Sequence, residues 1–147
     1  MKLLFLILLF LLPTISYSEK SPKDIVREVK HLVQYKEDLI DYYQTPEETL
    51  KLGTGDCEDF ALLIKKLCEE NSISAKIYCL YPRNEIQGHA IVIGQYQSKY
   101  WYSSNGWFSY VDDFKSISKN IASEMHWRGD ISMVTLDTLE GIKISNK

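Results

Sequence analysis

Gly53-Thr54-Gly55-Asp56-Cys57-Glu58-Asp59-Phe60-Ala61 is a run that changes character halfway along. Two glycines loosen the backbone, and from Asp56 onward the residues fit a helix that carries a cysteine in its first turn. The unpaired N–H groups and positive dipole end of such a helix favour thiolate over thiol, which is one way a chain makes a nucleophile. Asp56 or Thr54 suits the N-cap, and Glu58 and Asp59 suit the positive end. Cys57, Ala61, Ile64 and Cys68 recur on one helical stripe flanked by Phe60 and Leu67, with Glu58, Lys65 and Glu69 on the solvent side. The spacing predicts a helix over Asp56 to Asn71 whose start meets an inward-facing stripe.

Reading upstream from this helix, Thr45-Pro46-Glu47-Glu48 is a helix start, with Thr45 able to cap and Glu48 three residues later, and Gly53 ends that short helix. Before it, Ile25, Val26, Val29, Leu32 and Val33 recur at helical spacing from Lys23 to Tyr35, and Leu39, Ile40, Tyr42 and Tyr43 continue the segment after a kink. Downstream the period changes. Ala75 to Tyr81, His89 to Tyr96, Tyr100 to Ser103 and Trp107 to Val111 read as strands, with Asn105-Gly106 as a two-residue hairpin turn. Phe114 to Met125 reads as a helix and Ile131 to Leu136 as a last strand. Helices followed by an antiparallel meander make an α+β fold, with the cysteine-bearing helix packed on the sheet.

Composition bounds the function. A chain of 147 residues with 45% hydrophobic content has enough apolar material for one domain with a core. Its net charge is −3, and Lys and Arg are interspersed with acids, which argues against nucleic-acid binding. Lys2, the apolar run Leu3 to Leu12, Pro13 and the small-x-small end Ser16-Tyr17-Ser18 read as a secretory signal peptide over residues 1–18. The run falls well short of the ~20 residues that span a bilayer. The expectation is a single exported domain over 19–147, periplasmic or secreted, with no stable membrane anchor after cleavage. Of three cysteines, Cys68 and Cys79 either form a bridge or stay as buried thiols, and Cys57 is the odd one out.

Cysteine catalysis needs an imidazole to take and return a proton, and an acceptor to hold the imidazole. Of the three histidines, His31 lies on the first helix and His126 in a late loop, whereas His89 opens an apolar strand after Gly88, at a sheet edge the Cys57 helix can reach. Asn105, at the end of the next strand, is the candidate orienting group, with Asp112 behind it, although Asn-Gly also suits a turn with no catalytic role. The Cys57 backbone N–H is an oxyanion donor by position, and the side chain of Gln44 or Tyr43 is the candidate second donor. Asp56, Glu58 and Asp59 read as helix-start charges rather than a metal cage, so neither metal nor cofactor is expected. The aromatic residues from Tyr96 to Tyr110 read as hairpin core, some of them able to line a groove.

Thr45-Pro46-x-Glu48-Thr49-Leu50, Gly55-Asp56-Cys57-x-Asp59-x-Ala61, Gly88-His89-Ala90 and a strand ending in Asn together resemble the transglutaminase-like cysteine hydrolases, a papain-like superfamily. The resemblance covers about Tyr35 to Phe114 and implies Cys57 as nucleophile, His89 as base and acid, and Asn105 at the third position. It implies a hydrolase or acyl-transferase acting on an amide of a protein or peptide through a thioacyl intermediate. The alternative is the same fold kept as a non-catalytic binding module.

Overall fold

Caps written into the sequence start the helices where expected. Ser21 opens α1 (Pro22–Leu32) and Thr45 opens α2 (Pro46–Leu52), each through a reciprocal capping box with Pro in the first turn. Gly53 closes α2 in the left-handed conformation at φ 66°. The computed structural model describes residues 19–39, 42–83 and 87–136. The expected signal peptide at 1–18 and the chain beyond Leu136 lie outside them, as does Ile40 of the expected kinked segment.

The helix of the cysteine run, α3 (Cys57–Glu70), is followed by β3 (Ala75–Pro82), β4 (His89–Tyr96), β5 (Lys99–Ser104), β6 (Trp107–Val111), α4 (Lys115–Glu124) and β7 (Ile131–Leu136). The five strands form one antiparallel sheet in the order β6-β5-β4-β3-β7. The fold is α+β, with the cysteine-bearing helix on the sheet.

Each sheet face has its own core. On one, Phe60, Ala61, Leu63, Ile64 and Cys68 of α3 pack with Ile25, Val26 and Val29 of α1 against Ile77, Ala90, Val92 and Trp101. On the other, Ile117 and Ile121 of α4 pack on Leu80, Ile91, Ile93 and Tyr102. The alternation of β4 therefore divides its residues between two helices.

One stretch departs from the sequence reading. α1 stops at Leu32, and the chain does not continue as a kinked helix. Instead β1 (Gln34–Tyr35) pairs in parallel with β2 (Thr54–Gly55), the Gln34 and Lys36 N–H groups donating to the Gly53 and Gly55 carbonyls at 2.9 Å each. Two-residue strands carry no periodicity to read. Cys68 and Cys79 are both buried free thiols, so the bridge that was conceivable between them is not formed. Among the described residues no helix is long and apolar enough to cross a membrane.

Candidate active site

Asp59 builds the site from beneath. Its side chain is fully buried and accepts from the Gln44 backbone N–H at 2.8 Å and the Asp56 N–H at 3.2 Å. One carboxylate thus ties the segment before α2 to the start of α3. Burial pushes its pKa up to about 6 while those two N–H groups pull the other way. Gly55 is required by the same residue, since a Cβ there would stand 2.6 Å from Asp59 Cβ. The Gly-Asp-Cys-x-Asp spacing is therefore structural, and Asp59 is more than the helix-start charge read from sequence.

Cys57 is set at the first turn of α3, partly buried, and its thiol hydrogen-bonds Glu58 Oε2 at 2.9 Å. Burial first, then Glu58, pushes the thiol pKa up, against the helix-start effect that favours thiolate. The Ala90 backbone N–H hydrogen-bonds the sulfur and pulls the pKa back down. Glu58 is thus turned toward the thiol rather than to the solvent side. Asp56 is raised to about 8, by burial first and then by a side-chain hydrogen bond to Glu58. The thiol consequently rests beside an acid pair as a neutral group.

His89 sits one residue from the Ala90 N–H, at 3% exposure. Burial lowers its pKa, and the Glu58 carboxylate raises it. Its Nε2 lies 2.9 Å from Ser104 Oγ, and Ser104 is itself buried. The orienting contact expected of Asn105 is made one residue earlier. Asn105 is taken up by its turn, at φ 47° with Gly106 at 75°, and its Oδ1 is buried with no hydrogen-bond partner. Asp112, the reserve candidate, is exposed one residue beyond β6.

Gln44 and Tyr43 lie on the segment tied to α3. Gln44 is buried with Oε1 lacking a partner, and Tyr43, like Cys57, is partly buried against the α3 core. Tyr35, half exposed, is pushed up to about 12 by burial and then by the charge of Cys57, which places it near the thiol. His31 and His126 are exposed and outside this arrangement.

Two acidic groups offer clustered oxygens: Asp56 and Glu58 with the Cys57 sulfur, and Asp38 with Asp56 and Asp59, their donor atoms within 4.8 Å of one another. Sequence reading missed Asp38, because the chain between it and Asp56 includes a whole helix. It missed Ser104 because Asn-Gly beside it is the stronger local signal. Gly88-His89-Ala90 did contain one clue: a small residue at 90 lets the helix start approach the strand backbone.

Likeness to known proteins agrees with this architecture. No curated protein matches the chain. A structure of Legionella pneumophila LapG described as calcium-bound aligns at 20% identity and TM-score 0.49, over 63% of this chain and 60% of that one. A proposed cysteine protease from Cytophaga hutchinsonii aligns at 19% identity and TM-score 0.50, over 80% of this chain and 45% of that one. This chain thus spans less than two thirds of either protein, and the second likeness supports the fold. The sequence profile of the transglutaminase-like domain matches residues 3–105, which is most of the chain, and the protein belongs to that family.

Proposed function

We propose that this protein is an exported cysteine hydrolase or acyl-transferase that attacks an amide of a protein or peptide through a Cys57 thioacyl intermediate. The observation that carries the reading is a cysteine at a helix start whose sulfur takes the backbone N–H of Ala90, the residue that follows the buried His89 in β4. Export rests on the basic and apolar leader, Lys2 and Leu3 to Leu12.

In the tautomer whose Nε2–H donates to Ser104 Oγ, Nδ1 is the ring nitrogen left to take the thiol proton. The sulfur then adds to the amide carbonyl, whose oxygen gains charge beside the Cys57 backbone N–H, with Gln44 or Tyr43 as second donor. The imidazolium returns its proton to the leaving amine as the C–N bond breaks, leaving a thioester on Cys57. Water, or a second amine, attacks that thioester, gives its proton to His89, and frees the thiol. The neutral resting pair makes proton transfer to His89 part of the attack rather than a step completed beforehand.

The acids beside the thiol fit a divalent cation better than the sequence alone indicates, because Asp56 Oδ1 is buried without a partner and its neighbours offer further carboxylate oxygens. Asp56 and Glu58, or Asp56 with Asp38 and Asp59, would hold it. Such an ion would offset the negative field that raises the Cys57 pKa. Titration with calcium of the wild type and of Asp56→Asn tests this, heat of binding being expected from the first and lost in the second.

Iodoacetamide labelling of Cys57 across pH tests the catalytic reading. His89→Ala should slow labelling at neutral pH, and Cys57→Ser should abolish turnover of an amide substrate. Unchanged labelling in His89→Ala, with an ordinary thiol profile, would make the chain a binding module instead.

A further inference from the structure

The geometry points to Ser104 as the positioning residue for His89, holding Nε2 with a hydroxyl where such sites ordinarily use a carboxylate or an amide. This deepens the reading of His89 as base and rests on it.

Three observations carry the inference. His89 Nε2 and Ser104 Oγ are 2.9 Å apart and both residues are buried, at 3% and 5% exposure, so each is the partner that the other's burial demands. The sheet register makes the contact. β4 and β5 pair Val92 with Ser103, and on β5 Ser104 shares its face with Tyr102, whose ring lies in the core with Ile91 and Ile93. His89 shares that face of β4 by alternation and, as the first residue of the strand, still lies within the field of Glu58 on α3. Beyond Ser104 the chain turns away: a Cβ on Gly106 would meet Phe60 of α3 at 3.0 Å and Lys30 of α1 at 3.2 Å, so the turn packs toward the helices on the other face.

A hydroxyl performs one of two duties that a carboxylate performs together. It fixes the ring's rotation and, by accepting from Nε2–H, leaves Nδ1 as the acceptor. It carries no charge, so it does little to stabilise an imidazolium. The charge that reaches His89 comes from Glu58 on α3. Among the groups that share the field of Glu58 with His89, Cys57 on α3 and Cys79 and Tyr81 on β3 are neutral in the resting state, and β5 offers the Ser104 hydroxyl. Orientation and field are thus supplied by different elements.

The test follows the His89 ring by NMR alongside Cys57 labelling with iodoacetamide, in the full chain, with thermal melting as the check on folding. In the wild type the Nε2–H should give a slowly exchanging resonance. Ser104→Ala should lose it and slow labelling at neutral pH by about ten-fold, and Ser104→Thr, which keeps the hydroxyl, should restore both. Ser104→Asp should move the His89 titration midpoint to about ten-fold lower proton concentration, because a carboxylate now faces the ring. Asn105→Gly, which keeps the left-handed turn, should leave the resonance in place. Survival of the resonance in Ser104→Ala, or its loss in Asn105→Gly, would overturn the assignment. Labelling that ignores His89→Ala while the resonance still depends on Ser104 would sink the catalytic reading and leave the contact standing.

Discussion

At the scale of single residues, the resting thiol is governed by a neighbour on its own helix turn. Glu58 accepts the Cys57 hydrogen bond and adds a negative field to the effect of burial. Glu58→Gln should therefore bring the alkylation profile of Cys57 to lower pH and speed labelling at pH 7, as measured by mass spectrometry of iodoacetamide adducts. An unmoved profile would mean that burial alone sets the thiol. Cys57 and His89 stood out as candidates because glycine, a helix cap and a lone strand-opening imidazole are local signals. Ser104 was not legible, since a serine in a strand carries no mark until the strand across from it is known. Glu58 was misread for a similar reason: helical spacing assigns a side of the cylinder, whereas a first-turn side chain can fold back to the neighbouring residue.

At the scale of elements, most boundaries followed from caps and periods. Thr45 with Glu48, the stripe from Cys57 to Cys68 and the Asn105-Gly106 turn each report one local geometry. What joins the elements is less visible. Asp59 reads as a helix-start charge, yet it supplies the hydrogen bonds that hold the Gln44 segment against α3. Truncating it leaves a buried N–H group and a part-buried one without an acceptor, at a cost of ~1–3 kcal/mol for the buried one and less for the other. Asp59→Ala should destabilise by about 2–4 kcal/mol in urea unfolding at pH 7, and Asp59→Asn, which keeps one acceptor oxygen, by less. Equal losses would show that the second hydrogen bond contributes nothing.

For the whole molecule, the site's acids set a pH dependence of stability. Asp56 is raised to about 8 and Asp59 to about 6, from a usual value of 3.8. Between those limits the unfolded chain binds fewer protons than the folded one, so these two groups make stability fall as pH rises from about 4 to about 8. His89 acts oppositely: its lowered pKa costs stability as pH falls through the ordinary histidine range. Asp56→Asn separates the effects, because asparagine caps a helix as well as aspartate. Its melting temperature should exceed that of the wild type by about 3 °C or more at pH 8 and converge on it near pH 4. A constant difference across pH would place the gain elsewhere than in ionisation.

The two-rung β1–β2 ladder has a consequence in time rather than in energy. Its Gln34 and Lys36 amides donate to the residues just before the cysteine helix, closing the loop that contains α2 and Asp38. Those amides can exchange with solvent deuterium only when the rungs part, so their exchange rates are a clock for how often the residues around Asp38 separate from the start of α3.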